Sequence, residues 1–171
     1  MWPFKQAKEW FFPKEYLEYR DNLRGLVLYL PVGNLDALVA WRKEWVPYRS
    51  DTDTGLSDGK YEPLQNFNGA DLTIKAKGGD CESIAAVYVE VIAWWHGWTA
   101  EHITMVYADN TAHDVAFFYA PDGRTGWIDG DVHYGNRADM KAYYDSIGWY
   151  ITDGWVANDI GQTVSMVWIT F

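Results

Sequence analysis

One run limits what this chain can become more than any other. From Ile84 the apolar residues fall at Ile84, Val87, Tyr88, Val91, Trp94 and Trp95, the i, i+3, i+4, i+7 spacing of one helix face. Ala85, Ala86, Val89 and Ile92 widen that face, so the spacing predicts a central helix covered on most sides. Gly78 and Gly79 break the chain ahead of it, Asp80 suits the N-cap, and Gly97 suits the stop. Cys81, the only cysteine, therefore sits in the first helical turn. There the unpaired N–H groups and the positive end of the helix dipole favour an anion, which raises the thiolate fraction of a thiol. The same N–H groups suit an oxyanion formed when sulfur attacks a carbonyl. A small buried cysteine at a helix start is the plainer alternative.

The chain after Gly97 changes character. His102–Tyr107 is β-branched and aromatic and ends at Asp109-Asn110. The runs His113–Tyr119 and Arg124–Asp129 flank Pro121-Asp122-Gly123, where proline presets φ and glycine accepts a left-handed conformation, so a hairpin is predicted. With a three-residue bulged turn, Ala120 lies opposite Arg124, 113 opposite 131 and 115 opposite 129. With a turn centred on Pro121, His113 lies opposite Asp129. Both registers put Asp129 and Asp131 on the His113 face, while Asp114 points to the other one. A thiol nucleophile needs an imidazole to take its proton, and the imidazole needs an acceptor to fix its tautomer. Cys81, His113 and Asp129 are the candidates, with Asp131 as the alternative orienting acid. Each also has an ordinary structural reading, since His96, His102 and His133 show that histidine is not scarce.

Elsewhere the sequence is less informative. A short helix is expected over Lys14–Arg24, an apolar run over Leu26–Leu30, and a second helix capped by Asn34 with Leu35, Leu38, Val39 and Trp45 inward. Residues 48–69 read as a solvated loop. Within it, 51–62 has a faint calcium-loop look, but Gly55 and Leu56 stand where a ligand and a glycine belong. A helical piece near Lys141–Ser146 and strands near Gly148–Thr152 and Thr163–Thr170 complete the chain. Helices first and strands around a central helix favour α+β with an antiparallel sheet. The expected organisation is one domain over 1–171: a helical part to 45, a core over 46–135 and C-terminal strands over 136–171.

Composition closes off some functions. A net charge of −10 with no basic stripe argues against nucleic acid. No uncharged apolar run reaches the roughly 18 residues a membrane span needs, and no signal peptide is visible, so a cytoplasmic or virion-associated protein is expected. Neither a cofactor nor a metal is indicated. The 11 Trp, 12 Tyr and 7 Phe read as a dense aromatic core, or else as a platform for sugars or a peptide.

The motifs Gly79-Asp80-Cys81-Glu82-Ser83-Ile84-Ala85, His113-Asp114-Val115 and Trp127-Ile128-Asp129, with the lead-in Tyr48…Asp51…Gly55…Asp58…Tyr61, resemble the transglutaminase-like cysteine peptidases of bacteria and phages, in the papain-like superfamily. The likeness covers roughly Trp45 to Asp131. It implies a papain/transglutaminase-like core with the cysteine helix packed on the antiparallel sheet. It implies Cys81 as nucleophile, His113 as general base and acid, and Asp129 as orienting carboxylate. Gln65 and Asn66 are candidate oxyanion donors, beside the backbone N–H of Cys81. The expected function is a cysteine hydrolase or acyltransferase acting on a peptide or protein amide. A non-catalytic binding or assembly module on the same fold is the alternative.

Overall fold

A computed structural model describes residues 30–50, 73, 77–159, 164–169 and 171. The expected helix over Lys14–Arg24, nearly all of the 26–30 run, the 51–62 stretch, Gln65 and Asn66 lie outside these residues. Among the described residues the order is α1 (Leu35–Trp45), α2 (Cys81–Ala93), β1 (Thr99–Tyr107), β2 (Ala112–Tyr119), β3 (Thr125–Asp129), β4 (Asp131–Tyr134), α3 (Arg137–Ser146), β5 (Ile151–Asp159) and β6 (Val164–Trp168). The strands form one antiparallel sheet in the order β4-β3-β2-β1-β5-β6. Helices pack on the sheet, so the class is α+β.

The period-two alternation sends each strand's residues to two separate cores. On one face Ala116, Phe118 and Ile128 meet α2 and α1 through Val87, Tyr88, Val91, Ile92, Leu38 and Val39. On the other, Ile103, Met105, Val115, Phe117 and Trp127 meet Met140 and Tyr144 of α3. Val87, Val91 and Ile92 are fully buried, and each such side chain stabilises the fold by roughly 1.5–3 kcal/mol. The central helix is thus clamped to the middle of the sheet.

Local signals act as expected at several joints. Asp80 caps α2 by accepting from Ser83 N–H at 3.2 Å, and Asn34 caps α1 by accepting from Ala37 N–H at 3.0 Å. Gly97 takes φ +79° beyond the end of α2. The Pro121-Asp122-Gly123 turn is the three-residue bulged form: Ala120 N–H donates to Arg124 C=O at 2.8 Å, and Ala116 faces Ile128.

Three expectations need correction. Trp45 is not inward but 62% exposed. The buried stripe runs Leu35, Leu38, Val39, Arg42 and stops short of Trp45, which is the last residue of the helix. The helix expected near Lys141 begins at Arg137, because Asn136 and Asp139 form a reciprocal capping box written without the usual Ser/Thr and Glu/Gln. The following strand begins at Ile151 rather than Gly148. Gly148, at φ +88°, belongs to the helix closure, in which its N–H donates to Asp145 C=O at 3.1 Å and Trp149 N–H to Tyr144 C=O at 2.9 Å. Strand β4 has no counterpart in the expected elements.

Candidate active site

Cys81 opens α2 and is half-buried. The chain reaches it through Gly78 and Gly79, where nothing larger fits. A Cβ on Gly79 would lie 2.4 Å from Ser83 Cβ, and Gly78 has φ +147° with Arg49 Cδ 2.5 Å from where its Cβ would stand. Residues 47–49 run beside these glycines, Arg49 N–H donating to Gly79 C=O at 2.9 Å, so the approach to the helix is fixed from both sides.

The β2–β3 ladder ends at Ala116–Ile128, so Ala112–Val115 pair with β1 alone. At this open end His113 and Asp114 both come to Cys81. His113 Nε2 lies 3.0 Å from Asp129 Oδ1, the diagonal neighbour that the bulged register predicts. The contact is too bent for a straight hydrogen bond and is best described as an ion pair. The same ring lines a small cavity together with Cys81. Burial works against charge on His113, but the close contact and negative charge of Asp129, and then Cys81, outweigh it and push its pKa up to about 10.

Asp129 is held from its other oxygen. Tyr144 O–H of α3 donates to Oδ2 at 2.6 Å. Burial favours the neutral acid, yet the close contact and charge of His113, followed by the Tyr144 hydrogen bond, hold the carboxyl below its ordinary range. Burial, then the Asp129 charge, keeps Tyr144 protonated and hence a donor. Asp131 goes elsewhere. Gly130, at φ +71°, turns the chain between the two aspartates, and Asp131 forms a 2.8 Å salt bridge to Lys43 of α1 with its side chain 79% exposed. The shared face expected for the two acids is lost at that turn.

Asp114 occupies the α2 side, as the alternation predicts, and builds a second polar cluster there. Its Oδ1 is 2.9 Å from His102 Nε2 and accepts from Thr104 Oγ1 at 2.5 Å, while Oδ2 lies 3.9 Å from Cys81 Sγ. Of the other histidines, His133 stacks on Trp127 with ring centroids 4.9 Å apart, and His96 is exposed. Sequence reasoning missed Tyr144, Tyr107 and the His102–Asp114 pair. Tyr107 is buried, its hydroxyl has no hydrogen-bond partner among the described residues, and burial, then the charges of Asp129, Cys81 and Asp114, keep it protonated. Those three charges belong to the same cluster, and Tyr107 stands beside it.

Two cavities meet at His113. One of about 170 Å³ is lined by Cys81, His113, Asp129, Arg42 and Tyr48. Another of about 420 Å³ is lined by His113, Tyr107, Trp149 and Tyr150, with Asp109 and Thr111 at its side. Among the described residues no group of three His, Cys, Asp or Glu side chains is placed to hold a metal ion, and no helix is long and apolar enough to cross a membrane. Comparison with protein-family models, with curated proteins and with solved structures gives no match. The functional reading therefore rests on the geometry and on the sequence resemblance.

Proposed function

We propose that the protein is a cysteine-nucleophile hydrolase or acyltransferase acting on an amide bond, on a papain/transglutaminase-like core. One observation carries the reading: a cysteine at a helix N-terminus shares a small cavity with a histidine whose Nε2 meets a carboxylate at 3.0 Å. An imidazolium beside the sulfur favours its thiolate. In this scheme the Cys81 sulfur attacks the amide carbonyl carbon, and the developing oxyanion takes the backbone N–H of Cys81, a first-turn donor with no intrahelical acceptor. The C–N bond breaks as His113 passes its proton to the leaving amine. Water, or a second amine, then attacks the thioester while His113 takes back a proton, releasing the product and restoring the thiol. Asp129 orients the ring, and Tyr144 holds Asp129.

The test is the rate of Cys81 alkylation by iodoacetamide against pH, in wild type and His113→Ala. Since Cys81 is the only cysteine, modified protein counts one site. Reaction persisting below the ordinary thiol range, near pKa ~8.5, and lost in His113→Ala, supports a working pair. Identical titrations in the two proteins would leave the binding-module alternative. Trapping an acyl-enzyme by mass spectrometry supports turnover, and full turnover by Cys81→Ala sinks the reading.

A further inference from the structure

His113 is the wall between the two cavities, whereas Cys81 lines only the smaller. On the proposed chemistry the acyl carbon bonds to Cys81, and the nitrogen protonated by His113 departs with its own chain. We propose that the 420 Å³ cavity is the subsite for the departing segment and that it takes a long basic side chain, lysine or arginine. This inference rests on the hydrolase reading for its direction, though not for the binding itself.

The lining carries the chemical assignment. Trp149 packs on His113 with ring centroids 5.8 Å apart and on Tyr107 at 5.4 Å, and both Trp149 and Tyr150 are exposed. Aromatic faces of this kind suit a methylene stem and attract a cation at its end. Asp109 stands at the side of the cavity. Its Oδ1 accepts from Thr111 N–H at 2.9 Å and Thr111 Oγ1 at 2.6 Å, bonds that hold its carboxyl below the ordinary range and its charge in place. Apart from His113, no cationic side chain among the described residues lines the cavity. The His113 charge is met by Asp129, so the cation belongs at the Asp109 end. Tyr107 adds a third aromatic ring to the lining. The chain's net charge of −10 favours the approach of basic peptides.

The experiment uses the full chain as Cys81→Ala, so that binding is read without turnover. Three acetylated, amidated pentapeptides that differ only in a central lysine, norleucine or glutamate are titrated by NMR. The lysine peptide is expected to bind about fivefold tighter than norleucine, consistent with one partly exposed cation–aromatic contact, and to shift the Trp149 indole and Thr111 amide signals. Asp109→Asn keeps the acceptor for Thr111 and is expected to erase the preference. Equal affinities for lysine and norleucine, perturbations confined to other surfaces, or no binding by any peptide overturns the assignment. The two readings fail separately. Lysine-selective binding with ordinary Cys81 alkylation keeps the subsite and removes the enzyme, whereas turnover without basic preference removes the subsite and keeps the enzyme.

Discussion

Replacing Asp129 by asparagine leaves its shape and its ability to accept from Tyr144 but removes its charge. In the wild type the His113 pKa rises from an ordinary 6.5 to about 10, worth about 5 kcal/mol at about 1.36 kcal/mol per pH unit. That lift is achieved against burial and comes from two neighbours, Asp129 and Cys81. If each supplies half, Asp129→Asn forfeits about 2 kcal/mol, and His113 titrates roughly two pH units lower. The effect on stability has a defined pH window. A raised histidine pKa stabilises the fold fully below 6.5, and the contribution is lost as pH rises through about 10. A lowered carboxylate pKa stabilises above 3.8 and is lost as pH falls through the folded value. Wild type should therefore exceed Asp129→Asn most between about pH 4 and 6.5, and the gap should close towards pH 10. Histidine ring NMR from pH 5 to 11 and thermal melts across the same range measure both effects. A wild-type His113 that titrates at 6.5, or a titration that Asp129→Asn does not move, refutes the argument.

Other perturbations test the surroundings. Tyr144→Phe removes the 2.6 Å donor to a half-buried carboxylate, so a loss of about 2 kcal/mol is expected, a melting-temperature drop of roughly 5 °C, with the Asp129 carboxyl held less far below its ordinary range. Tyr107→Phe removes a buried hydroxyl with no partner among the described residues, so the melting temperature should hold or rise; a clear loss of stability would refute that reading. Gly79→Ala forces a Cβ to within 2.4 Å of Ser83 Cβ and should cost about 1–3 kcal/mol in chemical denaturation, with slower Cys81 alkylation as the helix start shifts. Asn136→Ala breaks the capping box of α3 and should cost about 1 kcal/mol while leaving the Cys81 alkylation profile in place.

The legible parts of this chain were those governed by neighbours in sequence. Asp80, Cys81 and the apolar stripe after them read as a capped helix start because capping and periodicity act over three to seven residues. The hairpin was legible for the same reason, but Pro121-Asp122-Gly123 left two registers open; the bulged one forms and brings Asp129 diagonal to His113. Tyr144 was not legible, because one tyrosine among 12 becomes a ligand of Asp129 only when α3 docks on the far face of the sheet. Asp131 misled because strand alternation assumes the pleat continues, and Gly130 ends it. Tyr107 and His102 are placed by β1, whose contacts to β2 join segments on either side of a turn but whose depth beside Cys81 depends on α2.

The cluster draws on both layers that flank the sheet, Cys81 from the helix on one side and Tyr144 from the helix on the other, with His113 and Asp129 between them. Synthesis runs from Cys81 to Tyr144, so the sulfur is made long before the last brace of the histidine's partner emerges. On the proposed chemistry a nascent or half-folded chain carries its nucleophile but cannot use it. Reactivity then switches on with the docking of the final layer, which spares the ribosome-bound chain and its neighbours from a premature hydrolase.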